Sequence, residues 1–413
     1  MAEEFITLEN GLRVLIKPAP LHSVALAVGV GYGSLYEFNH PETSGSSHFF
    51  EHMLFKGTSK RTWGQQNEQV RTHGIYRNAN TYYERIVYFT VSSRRSFDVA
   101  ASILSDMLKN STLPPEELKK DRGAIINEIR GYYDDVDSIL EDHTMSVLFA
   151  NRPPSLPVAG TIKSVKNITR ERLMEIYKAS HTPDNAVVVA YGDIIDKKRA
   201  LKSISDYFGD FTGRASVKKI DFDIPKPRVK ENILERDWLS QTYAKINFLI
   251  PPRKHINAYG RYTSTALSCF SYMLDYRLFD EVREKRGLVY SIQSMPFTRS
   301  NFGVFSIDFG SRADEADLVR ELSIRELEKV RNGEVSKSEL SRSKRYLQWL
   351  INNGLDEAEK SAGGIAEHGV IYNTVPNLDS LRSIKLEDII DAADRYLNPK
   401  DSVYTAVVPK QKK

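Results

Sequence analysis

His48-Phe49-Phe50-Glu51-His52 places two imidazoles and a carboxylate on neighbouring positions of one expected helix. Four residues apart, the two histidines share a helix face. Neutral imidazole nitrogens held that way suit a tetrahedral Zn²⁺, and the carboxylate between them can take a proton from water at the open position. The order is that of HExxH read backwards, so the carboxylate meets the water from the other side of the histidine pair. This is the layout of a zinc peptidase. With only nine His in 413 residues, coincidence is the weaker reading. The flanks agree, because Gly45-Ser46-Ser47 offers a turn and helix cap before the motif and Met53-Leu54-Phe55 a buried edge after it.

Two histidines do not complete a catalytic zinc site, which has three protein ligands and one open position. Chemistry alone leaves His73, Glu84, Asp121, Glu128 and His143 as candidates in the same half of the chain. Composition does not choose among them.

The run His48-Phe-Phe-Glu51-His52-Met-Leu-Phe-Lys-Gly-Thr58 resembles the signature of the pitrilysin, or inverzincin, peptidases. Their shorter members include the mitochondrial processing peptidase and its bacterial and archaeal relatives. The resemblance implies a third ligand on the segment Asp121-Arg-Gly-Ala-Ile-Ile-Asn-Glu128-Ile, and Glu128 stands 76 residues beyond His52. Asp121 lies two helical turns earlier on the same face. Relatives usually carry a Glu there that supports the site, so the shorter Asp weakens that contact. In Asn78-Ala79-Asn80-Thr81-Tyr82-Tyr83-Glu84 the resemblance implies a sheet edge where Asn78 and Ala79 bind substrate by strand addition, with Glu84 supporting the site. Two departures touch the cleft alone: Gly74 stands single where two glycines are common, and Ile86 replaces a frequent Thr.

Farther on, Leu278-Phe-Asp-Glu-Val-Arg283-Glu-Lys-Arg-Gly-Leu-Val-Tyr290 is similar to a second family landmark. It implies that Arg283 and Tyr290 bind substrate and stabilise the oxyanion of peptide hydrolysis, which needs a fixed cation and a phenol donor. From the residues alone the same stretch reads as a charged helix end stopped by Gly287. The family encloses peptides in a clamshell chamber of four such domains, so a two-domain chain is expected to dimerise, with itself or with a metal-less relative. The function implied is a zinc endopeptidase, one Zn²⁺ per chain, acting on short or unfolded peptides. Two other readings of the same fold are a noncatalytic assembly subunit and a peptide-binding clamp. Scaffold relatives commonly lose site residues, and the intact motif argues against that role.

The elements that must position these groups follow from periodicity. Leu12 to Ile16, Val24 to Val30, Arg85 to Val91 and Ala186 to Ala190 have strand character. Phe97, Ala100, Ile103, Leu104 and Met107 recur at helical spacing, and Pro114-Pro115-Glu116-Glu117 opens the helix that carries Asp121 and Glu128. Beyond the proline-containing segment Val217 to Lys230 the order recurs: strand near Tyr243 to Leu249, helix through Leu274 and Val282, strand near Gly303 to Phe309. Helices follow from Asp314 to Arg331 and from Ser336, whose Glu339 makes a capping box. The halves end alike, Tyr177 before Thr182-Pro and a Val-rich strand, Tyr396 before Asn398-Pro and Val403. The expectation is an α+β fold of two related domains, each a largely antiparallel sheet packed with helices: 1–213 with the zinc motif, a linker 214–232, and 233–413.

A hydrophobic share of 41% supports sizeable cores, and a net charge of +4 leaves no nucleic-acid footprint. Single Cys269 forbids an internal disulfide and sits in an apolar helical run, as a packed thiol. No transmembrane stretch or leader pattern is visible, so a cytoplasmic protein is expected, or an organellar-matrix one had a transit peptide been removed.

Overall fold

The strands Val24–Val30 and Ala186–Gly192 consist almost wholly of small and β-branched apolar residues, a composition suited to burial on both faces. In the computed structural model, which describes residues 4–218, 220–253, 263–375 and 380–410, every residue of both is buried. In chain order the first half forms β1 (Ile6–Thr7), β2 (Arg13–Pro18), β3 (Val24–Val30), α1 (Ser46–Leu54), α2 (Trp63–Thr72), β4 (Tyr76–Thr81), β5 (Ile86–Ser92), α3 (Phe97–Asn110), α4 (Pro115–Asp134), α5 (Val136–Leu148), α6 (Ile162–Asn167), α7 (Arg170–Ser180), β6 (Ala186–Gly192) and α8 (Lys197–Phe208). The second forms β7 (Glu231–Arg236), β8 (Thr242–Ile250), α9 (Thr263–Leu278) running into a π-helical turn Phe279–Glu284, β9 (Val289–Thr298), β10 (Gly303–Ser311), α10 (Ala316–Arg331), α11 (Lys337–Leu355), α12 (Ala358–Tyr372), α13 (Ser380–Ser383), α14 (Leu386–Tyr396) and β11 (Val403–Pro409).

The described residues fall into two compact units. One gathers those within 1–130, 156–220 and 352–376, the other those within 131–155, 221–351 and 377–413. Each sequence half therefore gives one helix to the other half's unit.

In the first unit the sheet order is β1-β2-β6-β3-β5-β4. One face packs Leu26, Val28 and Val188 against Phe49, Phe50 and Met53 of α1, Ile103, Leu104 and Met107 of α3, and Ile125 and Ile129 of α4. The opposite face, with Ala25, Ala27, Val87, Phe89, Val187 and Val189, is covered by Ala358, Ala362, Ile365 and Ala366 of α12. The approach is close: a Cβ on Gly29 would stand 2.9 Å from the Ala366 carbonyl oxygen. Buried Arg85 pairs with Glu367 on the same helix.

In the second unit the order is β7-β11-β8-β10-β9. Strand for strand the pairing matches β2-β6-β3-β5-β4, including the single parallel pair, β2 with β6 and β7 with β11. These are the two related α+β domains expected from the repeat. Alternation along β8 turns Ala244, Ile246, Phe248 and Ile250 toward α9, whose Phe270, Met273 and Leu274 fill that core. Helix α5 covers the other face, with Ile139 and Leu140 on Val407 and the Thr144 and Thr405 hydroxyls 2.7 Å apart. The capping box at Ser336 is present, with Glu339 Oε2 accepting the Ser336 N–H at 2.7 Å.

Candidate metal centre

Helix α1 begins at Gly45, which has φ of 88° and brings no side-chain cap. A Cβ there would sit 2.4 Å from the Ala159 carbonyl oxygen, so glycine is required. The cap expected from Gly45-Ser46-Ser47 is supplied instead by Glu37. Its carboxylate accepts the backbone N–H groups of Gly45 and Ser47, each at 2.5 Å, and the Ser47 hydroxyl. An anion at a helix N-terminus satisfies orphan donors and favours the dipole. Burial nevertheless pushes the carboxyl up to about 7, outweighing the hydrogen bonds from Ser47 and Gly45.

One turn in, His48 and His52 project toward α4. His48 Nε2 lies 3.6 Å from Glu128 Oε1, and His52 Nε2 lies 3.6 Å from Glu128 Oε2. One donor atom of each residue falls within 4.8 Å of the others, which makes this the metal-capable cluster among the described residues. Donors about 2 Å from a common ion stand roughly 3.3 Å apart in a tetrahedron. The separations are long for hydrogen bonds and close to right for shared ligation. Burial, then the neighbouring His52, lowers His48 to about 4, so its ring is neutral and ready to donate an electron pair. The donor set fits zinc. Of the other candidate third ligands, His143 lies in the second unit, with Nε2 3.3 Å from the Asn232 carbonyl oxygen. His73 ends α2 and is exposed.

Asp121, one of the supporting residues implied by resemblance, faces His52 from α4. Its Oδ2 is 3.6 Å from His52 Nδ1, and its Oδ1 is 2.5 Å from Lys56 Nζ. Burial lowers His52, but Asp121, Glu51 and Glu128 outweigh it and raise the imidazole above its ordinary value. Lys56, one turn beyond His52, is thus part of the support, as is Glu37; neither was singled out from sequence.

Glu51 is buried on the same turn, and Thr81 Oγ1 donates to its Oε2 at 2.6 Å. Burial raises its carboxyl, partly offset by that hydrogen bond. Thr81 ends β4, which among the described residues pairs with β5 alone and forms one edge of the sheet. Asn78 and Ala79 lie on this edge strand, Asn78 exposed and Ala79 buried. Glu84 is buried beside Tyr36, whose phenol is pushed up to about 12 by burial and by that carboxylate. Its loop is pinned by Ser34 N–H to the Tyr82 carbonyl at 3.1 Å and Leu35 N–H to that of Tyr83 at 2.9 Å.

In the second unit, Arg283 and Tyr290 are together. The guanidinium lies 5.3 Å from the Tyr290 ring centroid and 4.8 Å from that of Phe279. The π-helical turn that carries Arg283 is a local irregularity of a kind frequent at functional sites.

A duplicated α+β fold with an HxxEH helix and a distal glutamate is the layout of the inverted zinc peptidases. Residues 13–162 match the model described as Insulinase (Peptidase family M16), and residues 167–347 that described as Peptidase M16 inactive domain. A protein of Rickettsia felis named an uncharacterized zinc protease is 30% identical over 397 residues, covering 94% of this chain and 93% of its own. The uncharacterized zinc protease YmxG of Bacillus subtilis is 26% identical over 409 residues, covering 98% and 97%. The crystal structure of a protease from Helicobacter pylori has the same fold, with TM-score 0.87 at 21% identity, covering 99% of this chain and 100% of that one. The chain belongs to peptidase family M16, the pitrilysin family. Among the described residues no helix is long and apolar enough to cross a membrane.

Proposed function

We propose that the protein is a zinc-dependent endopeptidase of short or unfolded peptides, with His48, His52 and Glu128 as metal ligands and Glu51 as the base. The observation that carries this reading is the Thr81 hydrogen bond, which ties the Glu51 carboxylate to the strand edge beside the His/His/Glu cradle. Zinc, when bound, supplies Lewis acidity toward water and the scissile carbonyl. Glu51, raised by burial, takes the proton from the attacking water and passes it to the leaving amine. Asp121, itself anchored by Lys56, holds the His52 ring. The backbone of β4 near Asn78 and Ala79 pairs with extended substrate, which favours unfolded peptides over folded proteins. Arg283 and Tyr290 act on the substrate carbonyl side in the assembled enzyme, as a homodimer or with a metal-less relative. A cytoplasmic or matrix location suits the single buried thiol.

The test is incubation of purified protein with a mixture of unstructured peptides, with and without chelator, and product identification by mass spectrometry. Chelator-sensitive internal cuts restored by added Zn²⁺ support the proposal. Absence of cuts at one bound zinc per chain favours an assembly or peptide-clamp role.

A further inference from the structure

The duplication assigns counterparts to the two helices that carry the metal cradle. Helix α9 occupies in the second unit the place of α1, between the second strand and the edge strand of the sheet and packed against the helix before the last strand. Likewise α11 matches α4. The cross-helix pairs correspond: Lys56 to Asp121 in the first unit, Arg277 to Glu339 in the second, the latter at 2.8 Å. Seven residues after Asp121 stands Glu128, and seven after Glu339 stands Tyr346. The Lys56/Arg277 register sets buried Cys269 and Met273 at the positions of His48 and His52, so the imidazole pair is not repeated; Tyr272, one residue before Met273, meets Tyr346 instead. Where one copy presents two imidazoles and a carboxylate, the other presents the stacked phenols of Tyr272 and Tyr346, with Tyr276 one turn along the same helix.

This tyrosine cluster is open to solvent. Tyr272 stacks on Tyr346 with ring centroids 4.4 Å apart, and Tyr346 meets Trp349 at 5.6 Å. Tyr276 is 56% exposed and Trp349 55%. Arg342 lies over the Tyr276 ring at 5.0 Å. Arg342, Arg345, Tyr346 and Trp349 follow helical spacing along one stripe of α11. That helix carries four cations, Lys337, Arg342, Lys344 and Arg345, and one carboxylate, Glu339, already paired with Arg277. Among the described residues Arg342 and Arg345 have no carboxylate partner, so the stripe is aromatic and positive. One turn beyond Tyr276, Phe279 packs under Arg283, which leads to Tyr290. The surface is therefore continuous with the pair assigned to substrate.

We propose that this aromatic and basic surface, on the second unit's counterparts of α1 and α4, binds a segment of the peptide substrate that carries carboxylates beside aromatic side chains. The proposal rests on the peptidase reading and adds a substrate class to it. Aromatic faces and guanidinium groups recognise such a segment by ring stacking and charge without fixing its sequence.

The experiment uses the full-length Glu51→Gln protein and two fluorescein-labelled unstructured peptides of equal length, one rich in Glu and Phe, the other in Lys and Ser. Binding is read by fluorescence anisotropy. The Glu/Phe peptide is expected to bind at least about fivefold tighter, and Arg342→Glu or Trp349→Ala to weaken it about fivefold each. Both side chains are exposed, so the fold tolerates the changes. Equal affinity for the two peptides, or unchanged binding in both variants, overturns the proposal. So does conversion of a dimer to a monomer by Trp349→Ala in size-exclusion chromatography, which assigns the face to a second copy. Wild-type cleavage is scored separately: hydrolysis without discrimination rejects this surface alone, and discrimination without hydrolysis rejects the peptidase reading alone.

Discussion

Replacing Glu37 by Gln changes one atom in the cap of the metal helix and removes one titration. The wild-type carboxyl is raised to about 7 in the folded state, chiefly by burial, against an ordinary value of 4.5. Between those values the folded protein holds a proton that the unfolded chain has released. Stability therefore falls as pH rises through that window and levels off above it. At about 1.4 kcal/mol per unit, the loss is about 3 kcal/mol between pH 4.5 and neutrality. Glutamine does not titrate in this range. Its amide nitrogen does face a backbone N–H of Gly45 or Ser47, leaving one buried donor unmet at a cost of about 1–3 kcal/mol at every pH. The expected result is that the variant starts less stable at pH 4.5 and gains about 3 kcal/mol on wild type by pH 8. Urea unfolding of chelator-treated protein, followed by circular dichroism at both pH values, reads this difference, and contributions common to both proteins cancel. Parallel pH dependences would refute the argument that a buried, titrating carboxylate caps the metal helix.

Asp121→Asn removes the charge that orients His52 and holds Lys56, so zinc affinity is expected to fall about 10- to 100-fold in chelator competition; unchanged affinity would deny Asp121 that role. Glu367→Ala strips buried Arg85 of its ion-pair partner on α12 and is expected to cost about 3 kcal/mol in urea unfolding. A loss below the error of that measurement would show that α12 docks through its alanine face alone.

The residues that could hold a metal were legible because helical spacing and one local motif single out two of them, and resemblance located Glu128 on a helix whose start is marked by Pro114-Pro115. Strands β3 and β6 were legible from their apolar runs. What covers their second face was not. Helix α12 lies more than 150 residues away in sequence, and its Ala-rich face is too modest in hydrophobicity to announce a sheet partner. The same holds for α5, whose contacts with the second sheet include paired threonine hydroxyls and Lys245 between Glu141 and Asp308. Glu37 left one clue, a glycine at the N-cap of a helix with no side chain to satisfy its first donors. A distant acceptor is then required, but spacing does not say which. Lys56 stands inside the recognised motif, and only the fold shows that its target is Asp121.

The central claim is that Glu51 performs chemistry beside a zinc held by three other residues. The direct measurement is zinc content, by inductively coupled plasma mass spectrometry, together with peptide cleavage for wild type and Glu51→Gln prepared side by side. One zinc per chain in both, with internal cuts in wild type alone, is the expected result. Cleavage retained by the zinc-loaded variant would contradict it.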